Sequence, residues 1–410
     1  MPLPAHAGIF FTHSLCITKY IMNSFDVIVV GAGLAGLQAA RLLAGHALRV
    51  LLVDRKASLE QMVHTTGIFV RRSLDDFSLP PSCLGPPIRH VTLYSPARHA
   101  LALESPRDEF RIGRMGPLYT RLLKDCQAAG AEFSAATSYL GSSPVEHGST
   151  VRLLVDGEES EIHARYLVAA DGASSRVATD LGLSENRRWI TGLEEVYEAV
   201  PLLGPPRLHC FLDHTLAPGY IAWIAEDGHS AHIGVGGYRA RFLPSPALEA
   251  FRASICSIVD LRSARLIERR GGRIPVGGVL PKLANARGLL VGDAAGAVSP
   301  LTAGGLDPCL RLSELAAKVI ARYLASGDPS HLAGYDGAQL RRRFRVRRAL
   351  RALFAAAGCN PLFELGHAVL RTPPGRRVAS AVFFGNGSFP DVQLATTPRR
   401  PIARKAQQPT

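Results

Sequence analysis

Asp26-Val-Ile-Val-Val-Gly31-Ala-Gly33-Leu-Ala-Gly36, completed by Leu48-Arg-Val-Leu-Leu-Val53-Asp54, decides the fold class. The apolar, β-branched run 26–30 predicts a strand buried on both faces, as in the centre of a parallel sheet. Gly31 permits a tight turn, Gly33 lets the backbone approach a pyrophosphate, and Gly36 lets helix pack closely on strand. Leu34, Leu37, Leu42 and Leu43 then follow helical spacing until Gly45, and a second strand over 48–53 ends in Asp54, 23 residues after Gly31. A carboxylate there can accept both hydroxyls of an adenosine ribose, while the free N–H groups of the helix start face the phosphates. The whole unit predicts a Rossmann-like α/β dinucleotide site. By itself it does not separate FAD from NAD.

Two later motifs repeat the plan. The strand pattern over 162–170 ends in Asp171-Gly172, and Gly288-Leu-Leu-Val-Gly292-Asp293-Ala-Ala-Gly296 places an acid at a strand's carboxyl end among small residues. Ligands of open α/β sheets collect at those ends. Pro300-Leu-Thr-Ala-Gly304-Gly305 then leads into a helical pattern over 306–324, so a second helix start is presented near Asp293. Such a dipole stabilises negative charge on a reduced flavin ring. Arg114 heads another helical stretch, 115–129.

Together these three markers resemble the flavoprotein group that includes p-hydroxybenzoate hydroxylase-type monooxygenases and the geranylgeranyl reductases, over about residues 24–330. The resemblance implies FAD as cofactor and NAD(P)H as a transient reductant. It implies a cofactor-binding set of Gly31, Gly33, Leu34, Ala35, Gly36, Asp54 and Arg55, then Arg114, Asp171, Gly172, Gly292, Asp293, Gly304, Gly305 and Leu306. Asp54 would hold the adenosine ribose and Asp293 the ribityl and pyrophosphate region, with the nicotinamide docking near Asp171-Gly172. Arg114 reads either as an FAD contact or as a surface arginine.

Pro218-Gly-Tyr220-Ile-Ala-Trp223-Ile resembles the Pro-x-x-Tyr-x-Trp-x-Phe-Pro signature of geranylgeranyl reductases. It departs from it in having two residues between Tyr220 and Trp223 and Ala225-Glu226 in place of the terminal Phe-Pro. Tyr220 and Trp223, expected on opposite faces of one strand, are the candidate catalytic-pocket residues, lining an apolar tunnel, or are ordinary sheet-face residues. Buried polyprenyl chain is worth about 0.8 kcal/mol per CH₂. Thr65-Thr66-Gly67 stands where these reductases often carry Cys-Gly, so the proton for C=C reduction must come from another group such as Tyr220, or from water. Reduction of an isoprenoid or lipid-like C=C bond is the leading expectation. A monooxygenase and a lycopene cyclase-like enzyme are the alternatives, the latter through Asp213-His214, read as an acid pair or a solvated turn.

The chain has 410 residues, 47% hydrophobic and 20% charged, enough for a real core and too apolar for disorder. Of its +13 net charge, seven units lie in 341–351 and four in 398–410, neither with an acid, which leaves only +2 elsewhere. The charge is therefore no nucleic-acid footprint, and no metal site is signalled. Residues 341–351 read as an amphipathic helix, with Phe344, Arg347, Arg348 and Arg351 on one side and Val346, Leu350, Leu353 and Phe354 on another. It is either a solvated face or a peripheral contact with anionic membrane. Seven scattered cysteines without a Cys-x-x-Cys pair fit a reducing, cytoplasmic setting. The expected organisation is a dispensable leader, 1–23; a discontinuous FAD-binding domain, 24–80, 110–180 and 272–330; a mainly antiparallel substrate domain, 81–109 and 181–271; a helical region, 331–397; and a basic tail, 398–410. The oligomeric state is not specified by the sequence.

Overall fold

The computed structural model describes residues 24–198, 200, 204–356 and 358–384. The expected leader and basic tail lie outside the described residues, as do positions 385–397 of the helical region. The first sheet is built as the βαβ pattern requires. Strands β1 (Phe25–Val30), β2 (Val50–Val53), β7 (Glu132–Ser134), β10 (Glu158–Ala169) and β17 (Gly288–Leu290) run parallel in the order β17-β10-β1-β2-β7. Short β16 (Ala284–Asn285) adds an antiparallel edge, and the hairpin β8 (Thr137–Val145) with β9 (Gly148–Val155) pairs on β10. Val27, Ile28, Val29, Leu51 and Leu52 are fully buried, because helices cover the sheet. Helix α1 (Leu34–Ala44) packs between α3 (Met115–Ala128) and α6 (Leu306–Ser326), with α4 (Arg176–Asp180) and α7 (Ser330–Ala333) at the margins.

The second sheet has the order β15 (Arg265–Pro275), β11 (Trp189–Glu198), β14 (Ser230–Gly237), β13 (Ala222–Glu226), β12 (Arg207–Phe211), β4 (His90–Tyr94), β5 (Ala100–Glu104). Every pair is antiparallel except β12 with β4. Alternation gives each face its own task. Phe211, Ile224, Ile233 and Val235 meet Leu248 and Phe251 of α5 (Pro244–Ser254). The opposite, inner face carries Val91, Leu93, Cys210 and Ala225 under the ribbon β3 (Ile68–Val70)–β6 (Phe110–Ile112). Phe363 of α10 (Asn360–Arg371) and Ala379 of α11 (Pro373–Phe384) pack against that layer. Helix α2 (Arg71–Asp76) follows the ribbon strand β3.

Three expectations change. Tyr220 precedes β13, so it and Trp223 do not occupy opposite faces of a strand; their rings meet edge to face at 6.2 Å. Asp213 is buried, not solvated, and accepts N–H bonds from Thr215 and Leu216. The basic stretch forms two helices, α8 (Ala338–Arg343) and α9 (Arg345–Ala356), parted at Phe344. Of its arginine side, Arg347 and Arg351 face inward and Arg348 is exposed. Arg347 and Arg351 are buried while Val346 and Leu353 are 69% and 68% exposed, the reverse of an exposed cationic stripe.

Candidate functional site

The glycine turn is tight because nothing larger fits. A Cβ on Gly36 would lie 1.8 Å from the carbonyl oxygen of Gly31, and one on Gly31, whose φ is +104°, would lie 2.3 Å from that of Ala170. Around Gly33 the space is open. The N–H groups of Gly33, Ala35 and Gly36 have no backbone acceptor among the described residues, while that of Leu34 is directed at the Tyr119 hydroxyl; the open N–H groups are donors of the kind a pyrophosphate needs. Asp54 is already engaged: Oδ2 accepts from Ala32 N–H at 2.7 Å and Oδ1 from Lys56 N–H at 2.9 Å. It braces the turn, and its remaining lone pairs are what a ribose could use. Arg55, beside it, is exposed.

At the end of β17 the backbone bends through Gly292, at φ +56°, into the short turn 292–295. Asp293 is largely buried there, and no hydrogen bond from a described residue reaches its carboxylate, although Asn186 holds its backbone carbonyl at 2.8 Å. Burial pushes this carboxyl up to about 6. An acid left in this condition is suited to bind ligand hydroxyls. Nearby, the N–H groups of Gly304, Gly305 and Leu306 at the start of α6 are likewise without acceptors among the described residues. Asp307, one residue on, is paired with Arg311 at 2.9 Å and Arg343 at 3.4 Å and bonded by Ser73 at 3.1 Å, which fixes the helix start. Sequence reading overlooked this cluster, whose members come from distant elements.

Asp171 is engaged within its own turn. Its two oxygens accept from Ser175 Oγ at 2.6 Å and from the N–H groups of Arg176 and Val177, capping α4. Burial still pushes its carboxyl above the ordinary range against those bonds. Gly172 supplies the positive φ of the turn, +87°. Arg114 sits at the cap position of α3 and donates to the carbonyl of Ser82. The turn motifs of Gly31–Gly36, Gly292-Asp293 and Gly304–Leu306 therefore present open donors and an open acid, which fits FAD, whereas Asp171 and Arg114 are at least partly spent on local structure.

On the inner face of the second sheet, Trp223 lies across glycines. A Cβ on Gly234 would come within 2.2 Å of its ring, and one on Gly236 within 2.7 Å of Tyr220. Tyr220 Oη donates to the carbonyl of Thr302 at 2.8 Å, tying this face to the turn before α6, and burial holds its pKa well above that of a free phenol. Trp223 Nε1 donates to Glu194 Oε2 at 2.9 Å. Glu194 also accepts from Thr66 Oγ1, from Arg270 Nε at 2.8 Å, and lies 3.2 Å from Nδ1 of His232. Burial alone would raise its pKa, but His232, Arg270 and Thr66 overcome that and bring it down to about 2. His232 is shifted up despite burial by its bonds to Asp227 and Glu194. None of Glu194, His232 or Arg270 was picked out from the sequence. Their separations, 38 and 76 residues from Glu194, leave no local signal.

Comparison with known proteins agrees with this geometry. A family model described as "FAD binding domain" matches residues 117–351, and one described as "Pyridine nucleotide-disulphide oxidoreductase" matches 25–200. The chain belongs to the FAD-binding domain family. This flavoprotein is an FAD-dependent oxidoreductase with a pyridine nucleotide as its reductant. Among its relatives is the digeranylgeranylglycerophospholipid reductase of Methanocella arvoryzae, 27% identical over 329 residues, covering 77% of this chain and 82% of the relative. That of Methanocaldococcus jannaschii is 26% identical, covering 76% and 80%. Among solved structures, a geranylgeranyl bacteriochlorophyll reductase-like protein of Thermoplasma acidophilum superposes with a TM-score of 0.78 at 20% identity, covering 89% of this flavoprotein and 98% of the other chain. A myxobacterial FAD-dependent halogenase superposes at 0.67 and 17% identity, covering 90% and 91%. These last two show the shared fold.

Proposed function

We propose that this flavoprotein reduces C=C bonds of an isoprenoid or isoprenoid-bearing lipid at the expense of NAD(P)H. The observation that carries the reading is the likeness, over about three quarters of the chain, to curated digeranylgeranylglycerophospholipid reductases. The apolar inner face of the second sheet supports it, since that surface sorts for a hydrocarbon chain. FAD, when bound, supplies hydride received from the nicotinamide. Gly33–Gly36 hold its pyrophosphate, Asp54 and Asp293 its hydroxyl-bearing parts, and the N–H groups of Gly304–Leu306 its electron-rich edge. Trp223 and Tyr220 position the apolar substrate beside the 299–305 turn. Tyr220 is a weak proton source, because its hydroxyl is committed to Thr302 and its pKa is raised, which favours water as donor to the second carbon.

Membrane contact forms part of the proposal, with its polarity reversed relative to the sequence expectation. Val346, Leu353, Leu362, Leu365, Val369 and Val378 are exposed on α9–α11, with Arg345, Arg348, Arg376 and Arg377 exposed among them. Apolar side chains flanked by cations suit an anionic lipid surface. No helix among the described residues is long and apolar enough to cross a membrane. The activity is tested by incubating holoenzyme with NADPH and isoprenoid candidates without oxygen. Mass spectrometry should show two hydrogens gained per double bond. Product formed only with oxygen, and carrying an added oxygen atom, would point to the monooxygenase instead, and a product of unchanged mass to the cyclase.

A further inference from the structure

Arg351 of α9 is 4% exposed. Its Nε donates to Tyr238 Oη at 3.2 Å, and its guanidinium carbon stands 5.6 and 5.1 Å from the ring centres of Tyr220 and Tyr238. Nη1 and Nη2 are buried and have no hydrogen-bond partner among the described residues. One helical turn earlier on the same face, Arg347 is 8% exposed and its Nη1 donates to Ser299 Oγ at 2.7 Å and Thr302 Oγ1 at 3.4 Å. Aromatic faces offset part of the cost of burying a cation, but two orphan donors on a desolvated guanidinium still call for an anion. The fork of Nη1 and Nη2 matches a phosphoryl group in bidentate fashion. FAD already has its own donors, at Gly33–Gly36 for the pyrophosphate and at Gly304–Leu306 for the ring, so this cation is left for something else.

We propose that Arg351, held in place by Tyr238, binds a phosphoryl group of the substrate, so that the isoprenoid is recognised by an anionic head group as well as by its chain. The inference rests on the reductase reading for the identity of the chain. The ligand enters with its head group at the 299–302 turn and its hydrocarbon along Tyr220, Trp223 and the apolar layer. A phosphate-free isoprenol has the same chain and lacks the contact.

The test uses holoenzyme in a Trp189→Phe background, which leaves Trp223 as the only tryptophan and the fluorescent reporter. Geranylgeranyl diphosphate should bind about tenfold or more tighter than geranylgeraniol, as a charged hydrogen-bonded contact implies. Arg351→Met should abolish most of that preference while leaving geranylgeraniol affinity and FAD content unchanged. Arg351→Lys, which keeps the charge and loses the fork, should retain an intermediate preference, and it serves if the methionine variant does not fold. Inorganic pyrophosphate that competes with the diphosphate lipid in an Arg351-dependent manner also supports the site and shows that the phosphoryl group alone suffices. Competition absent, with the lipid preference intact, supports it and assigns the ligand to the lipid-linked form. Equal affinities in the parent, equal loss of both ligands in Arg351→Met, or loss of FAD would each overturn the proposal. Head-group discrimination without anaerobic C=C reduction would keep the site and sink the reductase reading; reduction without discrimination would do the opposite.

Discussion

Asp293, at the carboxyl end of the first sheet, and Glu194, on the inner face of the second, are both buried acids with opposite surroundings. Asp293 receives no hydrogen bond from a described residue and its pKa is pushed up to about 6. Glu194 is surrounded by Thr66, Trp223, His232 and Arg270 and is brought down to about 2. The contrast separates two uses of a carboxylate. One is kept unsatisfied, at a cost in stability, so that a ligand can satisfy it. The other is fully satisfied, and its return is a fixed sheet face on which Trp223 cannot swing. A carboxylate's burial therefore says little until its partners are counted.

Breaking the satisfied acid should have the largest effect. Glu194→Gln leaves His232 and Arg270 with less compensation in a buried site, so unfolding in denaturant should show a loss of about 3–5 kcal/mol. The pH dependence has a definite sign. Because the folded pKa lies below the unfolded one, Glu194 contributes stability above about 4.5 that is lost as pH falls toward about 2, and the variant should lack that component. Asp293 behaves oppositely. Its raised pKa means the cofactor-free protein should lose stability as pH rises from near 3.8 through about 6, a slope that Asp293→Asn should flatten in thermal melts. In holoenzyme, Asp293→Ala should weaken FAD retention by about 1.5–3 kcal/mol, read by equilibrium dialysis, and unchanged occupancy would remove Asp293 from the cofactor site.

Gly234→Ala sharpens the comparison on the Glu194 side without touching charge. Its Cβ would meet the Trp223 ring, so the indole must shift, costing about 1–3 kcal/mol and altering Trp223 emission. The smallest effect concerns the membrane face. Replacing Arg345 and Arg348 by Ser should weaken pelleting with anionic liposomes by about 1 kcal/mol per residue. Arg341 and Arg343 are poorer choices, since they bond the carbonyl of Leu280 and Asp307 within the protein.

Much of the cofactor half was legible because its signals are local. Strand, glycine turn, helix and second strand lie within residues 25–53, and the Gly36 contact follows from the turn alone. The second sheet was harder. Its strands and the 90–104 hairpin could be read from alternation, but the Glu194 cluster joins β11, β14, β15 and the Thr66 loop, and only pairing brings them together. Helix α9 shows a different limit. Periodicity gives a helix two faces without saying which is inside; here Ser299, Thr302 and Tyr238 wait opposite the arginines, and a polar partner surface reverses the usual assignment. Likewise Asp171 had the position of a ligand acid, and the nearby Ser175 converted it into a helix cap.

The central claim, that electrons pass from this flavoprotein to a carbon–carbon double bond, is tested most directly by reducing the FAD-loaded protein chemically under argon and mixing it with geranylgeranyl diphosphate. The account predicts that the oxidised-flavin absorption returns in the absence of oxygen, one equivalent for each double bond saturated. Flavin that stays reduced until air is admitted would contradict it.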